Sequence, residues 1–169
     1  MADTSIEGSP DCFAEIASLL DYPMFIVTTS DGEERSGCLI GFATQSSIDP
    51  ARFLVALSDK NRTFRVASKA EHLAVHVLNR ADRELAELFG EQTGDEIDKF
   101  DRCSWHEGPY GLPVLDGPRA WFVGRVLGTF ATGDHVVFVL EPERGDIRDG
   151  SDRLLTFESV SDLDAGHGA

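Results

Sequence analysis

Two long apolar runs hinged on a glycine–aspartate pair constrain this chain more than any other feature. Residues 119–131 read RAWFVGRVLGTFA, and residues 135–143 read HVVFVLEPE. Both are rich in β-branched and aromatic residues, which favour a pleated, half-buried strand. Thr132, Gly133 and Asp134 between them make a turn, so the second run returns antiparallel to the first. The same pattern recurs upstream. MFIVTT at 24–29 and SGCLIGFAT at 36–44 flank SDGEE, whose Asp-Gly pair is a hairpin signal. RFLVALS at 52–58, HLAVHVLN at 72–79 and RLLTF at 153–157 also read as strands.

Helical spacing is confined to short pieces. Ser9-Pro10 starts a helix carrying Phe13, Ile16, Ala17 and Leu20, which ends near Asp21 because Pro23 disfavours helix at Tyr22. NRTFRVASKA at 61–70 predicts a second helix, with Asp59 as its candidate cap. RADRELAELFGE at 80–91 sets Leu85, Leu88 and Phe89 on one face, with Asn79 as cap, and a further short helix is expected over 94–100. Residues 102–118 hold four glycines or prolines between 108 and 113 and read mainly as loop. About seven strands and three or four helices follow, without the βαβ alternation and G-x-G-x-x-G of a dinucleotide-binding domain. The expectation is a mainly β fold, a β-barrel with peripheral helices, over residues 9–158. Residues 1–8 read as a flexible N-terminus and 159–169 as a flexible acidic tail.

Composition narrows the function. The formal net charge is −15, which opposes nucleic acid and anionic membrane as partners. Cys12, Cys38 and Cys103 are odd in number and widely spaced, without a metal-binding pattern, so they read as free thiols in a reducing compartment. The first eleven residues are polar and acidic, unlike a signal peptide, and no apolar run approaches the ~20 residues of a membrane span. A cytoplasmic protein is expected, with no metal site. His72 and His76 stand about 13 Å apart along a strand, too far to share a metal ion.

Three stretches could carry chemistry. GFATQSSIDP at 41–50 ends a strand in Thr44, Gln45, Ser46 and Ser47, which suits either a phosphate or ribityl cradle or an ordinary polar loop. Lys60, Arg62, Arg65 and Lys69 fall within ten positions, and no acid interrupts residues 60–70. At a helix start, Lys60, Asn61, Arg62 and Thr63 could hold a phosphate, or the run could be a basic face paired with acidic neighbours. His135, opening a strand after a tight turn, satisfies that turn or faces a ligand.

In this order, these stretches resemble the flavin reductase family. The resemblance begins at YPMFIVTTSDGEERSGCLIGFATQSSIDPARFLVALS and runs through NRTFRVASKAEHLAVHVLNRADRELAELFG, LPVLDGPRAWFVGRV and GDHVVFVLEPE, covering roughly residues 13–157. It departs from the family at Ala51, where a second proline is usual, at His76, where asparagine is usual, and at Phe42, where smaller residues are common. The resemblance implies a six-stranded antiparallel Greek-key split barrel that binds FMN, with FAD possible, and forms a homodimer. By position, Gly41, Phe42 and Ala43 would approach the isoalloxazine, and Thr44, Gln45 and Ser47 would bond the ribityl chain and phosphate. Lys60, Asn61, Arg62 and Thr63 would hold the phosphate. His135 would lie near flavin and nicotinamide as the catalytic side chain.

The implied activity is that of an NAD(P)H-dependent flavin reductase, with NAD(P)H as co-substrate and a monooxygenase as the partner that receives reduced flavin. Hydride transfer between two stacked rings needs no acid–base pair, which agrees with the lack of one here. The alternatives are a flavin- or deazaflavin-dependent oxidoreductase with its own organic substrate, and a non-catalytic flavin-binding protein.

Overall fold

A computed structural model describes residues 10–166. The expected cap at Ser9, residues 1–8 and His167 lie outside that range. The first helix, α1, spans Pro10–Ser18, three residues short of the expected end. Strands follow as β1 (Phe25–Ser30), β2 (Arg35–Ile40), β3 (Ala43–Ile48) and β4 (Ala51–Ser58). Next come α2 (Arg62–Ala67), β5 (His72–Val77) and α3 (Arg83–Glu91). Strands β6 (Trp105–Glu107), β7 (Pro113–Leu115), β8 (Ala120–Ala131) and β9 (His135–Ile147) complete the set.

Seven strands form one sheet in the order β2-β1-β5-β8-β9-β4-β3. Every neighbouring pair is antiparallel. The mainly β class is therefore correct, but the expectation of a closed six-stranded barrel is not, because the sheet has seven strands and its two edges share no ladder. The extra strand has a local cause. SGCLIGFAT, expected as one strand, breaks at Gly41–Phe42 into β2 and β3. There the Gly41 carbonyl accepts from Ala43 N–H at 3.0 Å and the Phe42 carbonyl from Ala56 N–H at 2.8 Å.

Alternation along β1 separates two cores. Phe25 and Val27 join Cys38, Ile40, Val55, Leu57, Leu73, Val75, Phe138 and Leu140 on one face. Residues from β2 at one edge and from β4 near the other share that cluster, so the sheet curls around it, and Ala67 and Phe64 of α2 pack against it. Met24 and Ile26 face the opposite way, into a second cluster with Ala86 and Phe89 of α3, Phe100, Leu115 and Leu155.

Three other expectations are corrected. Residues 102–118 contain the β6–β7 hairpin rather than loop alone. RLLTF is not a strand of the sheet. It makes isolated bridges at Leu154 and Thr156, and Leu155 exchanges backbone bonds with Met24 and Leu78 at 2.9 Å each. Over 94–100 there is no α-helix, only a turn and a 3-10 helix that starts at Lys99. The chain end is docked as far as it is described: Val160 is buried and Gly166 N–H donates to the Gly90 carbonyl at 3.0 Å. No helix among the described residues is long and apolar enough to cross a membrane.

Candidate functional site

The sheet brings the ends of β2, β4 and β9 together. Ser58, the last residue of β4, pairs with His135, the first of β9, and Asp59 N–H donates to the Asp134 carbonyl at 3.0 Å. Gly133 makes the preceding turn possible, with φ at 109°, a left-handed conformation that side chains disfavour. The bend at Gly41–Phe42 stands against the same corner. A Cβ on Gly41 would lie 2.3 Å from Tyr22 Cε2, so only glycine permits this approach. Between these elements lies a cavity of about 160 Å³, lined by Tyr22, Cys38, Gly41, Phe42, Ser58, Asn61 and His135 among others.

Aromatic rings define its character. Tyr22 stacks on Phe157 with centroids 5.1 Å apart and meets Phe42 at 6.1 Å. Phe42 is 57% exposed and meets the His135 ring edge-on at 5.2 Å. The His135 imidazole is tied at Nδ1 to the Asp134 carboxylate, 2.7 Å away. That bond, with a smaller contribution from Lys60, holds the Asp134 carboxyl below its usual range. Burial, and then the Asp21 charge, raise the Tyr22 phenol, and burial raises the Cys38 thiol. Both therefore stay neutral near pH 7.

Of the residues singled out from sequence, Gly41, Phe42, Asn61 and His135 line this cavity together. Ala43 opens β3 and packs against the first core. Thr44, Gln45 and Ser47 lie on edge strand β3, not in a loop. Two of these side chains turn to local backbone: Thr44 Oγ1 donates to the Gln45 carbonyl and Gln45 Nε2 to the Ser47 carbonyl. Asn61, not Asp59, caps α2, its Oδ1 accepting from Thr63 N–H at 2.9 Å. Thr63 is fully buried with its hydroxyl 2.9 Å from Ser36 Oγ, away from the cavity.

The basic run is largely paired. Arg62 donates to the Gly94 carbonyl and stands 3.8 Å from Glu34. Arg65 pairs with Asp95 at 2.6 Å and Lys69 with Asp31 at 4.0 Å. These cations tie α2 to two acidic turns, and Lys60 alone of the four lies on the Asp134 side. Sequence reasoning missed Tyr22, Cys38, Ser58 and Phe157. Each sits in an apolar or turn context that carries no chemical signature by itself.

A larger cavity, about 560 Å³, is lined by Glu33, Glu34, Asp95, Glu96, Asp98 and Glu107 with Arg35, Arg62 and Lys99. Its surplus of carboxylates would repel a phosphorylated ligand, so size does not make it the better candidate. Among the described residues no group of His, Cys, Asp and Glu is arranged to hold a metal ion.

The chain is 28% identical over 151 residues to the FMN reductase (NADH) RutF of Stutzerimonas stutzeri, covering 89% of this chain and 84% of that one. It is 28% identical over 117 residues to the stachydrine N-demethylase reductase subunit Stc3 of Rhizobium meliloti, covering 67% of this chain. It spans only 50% of Stc3's length. Among solved structures, a flavin reductase domain protein from Arthrobacter sp. FB24 shares the fold with a TM-score of 0.78 at 23% identity, covering 88% of this chain and 91% of that one. The profile of the family described as the flavin reductase like domain matches residues 17–161, and the chain belongs to that family.

Proposed function

We propose that this chain is an NAD(P)H-dependent flavin reductase whose flavin binds at the β2–β4–β9 corner. One observation carries the reading. Gly41–Phe42, Asn61 and His135, spread over more than ninety positions of sequence, line a single aromatic cavity in a chain of this family. The residues fit the group. Gly41 keeps the approach clear where a Cβ would crowd Tyr22, and Phe42 offers an exposed ring face to a planar heterocycle. RutF, named an FMN reductase (NADH), supports FMN with NADH, and FAD shares the same ring.

When bound, the flavin supplies the hydride-accepting centre. The chain's part is to orient the ring and keep water from it. Phe42, Tyr22 and Phe157 supply apolar contact, and Asp134 fixes the orientation of His135 at the rim. Lys60 is the cation offered to the phosphate. Thr44, Gln45, Arg62 and Thr63 carry less of the binding, because their side-chain polar atoms already bond within the chain.

The name of a Pseudomonas aeruginosa relative 28% identical over 156 residues, the 4-hydroxyphenylacetate 3-monooxygenase reductase component, supports a monooxygenase component as the acceptor of reduced flavin. The apolar side chains that α1 leaves exposed, Phe13 and Ile16, support a homodimer that covers them, and a monomeric mass in sedimentation would refute it. A reducing cytoplasm suits three unpaired cysteines. The test of the activity is a titration of the protein with FMN followed by steady-state oxidation of NADH and NADPH. Saturable flavin binding and oxidation that rises with added FMN are expected. No flavin binding would end the proposal, and tight binding without turnover would favour a non-catalytic flavoprotein.

A further inference from the structure

Among the described residues, two buried side-chain polar atoms lack a hydrogen-bond partner, Arg35 Nε and Ser58 Oγ. The first belongs to a guanidinium otherwise engaged, 2.8 Å from Asp98 and stacked over Trp105 at 4.8 Å. Ser58 is different. It is 6% exposed, and its hydroxyl serves nothing in the fold. Its carbonyl receives Asn61 N–H at 3.0 Å, and its backbone pairs with His135. The cap of α2 is made by Asn61 without it. A buried hydroxyl left unmatched is destabilising, and alanine at such a position would be neutral or better for folding. Yet this hydroxyl lines the cavity shared by Gly41, Phe42, Asn61 and His135.

We infer that Ser58 Oγ is a ligand-contacting group that hydrogen-bonds the polar edge of the flavin ring, fixing its orientation beside His135. The inference rests on the flavin reading above. It assigns the hydroxyl to the ring rather than the phosphate because its cavity neighbours are aromatic or neutral, whereas the cation of this corner, Lys60, lies with Asp134 on the exposed side. The rival occupant is a water molecule, which a cavity of about 160 Å³ can hold.

The experiment compares wild type, Ser58→Ala and Ser58→Cys. Cysteine keeps the volume and loses most of the hydrogen bond. Affinities for FMN and riboflavin are read from flavin fluorescence, and thermal midpoints are read without ligand. Both variants should bind both flavins roughly 3- to 10-fold more weakly, the worth of one neutral hydrogen bond. The ligand-free midpoint of Ser58→Ala should be unchanged or higher. Wild-type affinity in both variants would leave Ser58 to water and overturn the contact. So would a lowered ligand-free midpoint for Ser58→Ala, or Ser58→Cys binding as tightly as wild type. A loss confined to FMN would move the hydroxyl to the phosphate and overturn the ring assignment. Wild type that binds neither flavin would bring down the flavin reading itself, and this contact with it.

Discussion

His76 should make the folded state sensitive to mild acid. Its side chain is wholly buried between the sheet and the β6–β7 hairpin. The ring bonds the Ile26 carbonyl through Nδ1 at 3.0 Å and receives Leu115 N–H at Nε2, also at 3.0 Å. That pair of partners requires the neutral tautomer with its proton on Nδ1. A second proton must displace Leu115 N–H and bring a charge into an apolar core. Burial accordingly lowers the pKa from 6.5 to about 4, against a smaller upward pull from the Ile26 carbonyl. In the unfolded chain the imidazole takes its proton near pH 6.5, so the unfolded state binds more protons between the two values. Stability is therefore full above pH 6.5 and is lost as pH falls toward 4. The whole gap corresponds to about 3 kcal/mol, and linkage gives a loss of about 2 kcal/mol between pH 7 and pH 5.

Urea unfolding followed by tryptophan fluorescence at pH 7, 6 and 5 measures this loss. His76→Asn keeps a donor for the Ile26 carbonyl, and His76→Gln offers an acceptor to Leu115 N–H. Both should be less stable than wild type at pH 7, and both should lose less stability on going to pH 5 by roughly the linkage value. The shifted carboxyls do not imitate the effect. Asp31, Asp134 and Glu143, held low by their hydrogen bonds, act below this window. Asp82, raised by burial, acts with the opposite sign, since its contribution is lost as pH rises. The same loss between pH 7 and pH 5 in wild type and both variants would refute the assignment to His76.

Gly41→Ala should cost about 1–3 kcal/mol in urea unfolding, because its methyl group displaces Tyr22, and it should weaken flavin binding by crowding the cavity. A variant like wild type in both measurements would show that Tyr22 yields freely. Lys60→Ala should weaken FMN by about 1.5–3 kcal/mol and leave riboflavin unchanged, as expected for a charge-assisted bond to the phosphate. Arg62→Ala should instead lower stability by less than about 1 kcal/mol, by releasing Gly94 and Glu34, with FMN affinity held. Paired titrations with FMN and riboflavin decide between them, and an FMN-selective loss in Arg62→Ala alone would reverse the two roles.

What could be read from the sequence was whatever the chain encodes locally. The apolar runs MFIVTT and RFLVALS and the alternation in HLAVHVLN marked β1, β4 and β5, and Gly133-Asp134 marked the β8–β9 hairpin. Features that depend on distant partners could not be read this way. Nothing in Gly41-Phe42 announces a strand break, because the bend is set by Tyr22 and by Ala56 N–H, which belong to other segments. Leu155 looks like a strand residue, but its carbonyl and N–H are taken by Met24 and Leu78 beside the sheet. Phe42 and His135 were recognisable as candidates, but their edge-on contact was not. Ser58 had no signal, since a serine at a strand end is ordinary until its burial is known.

The basic run shows why composition alone misplaces recognition. Four cations in ten positions of an acidic chain suggest an anion grip, yet three of them close α2 onto the turns around Asp31, Glu34 and Asp95. Such exposed pairs each contribute little to stability. Their larger consequence is to withdraw charge from the ligand corner, so that Lys60 faces a field dominated by a net charge of −15. In the proposed site the planar ring would then be held by neutral groups: Phe42 at the rim, Tyr22 and Phe157 behind it, and the unmatched hydroxyl of Ser58. A site built as proposed would recognise what FMN, FAD and riboflavin share, the ring system, ahead of what distinguishes them.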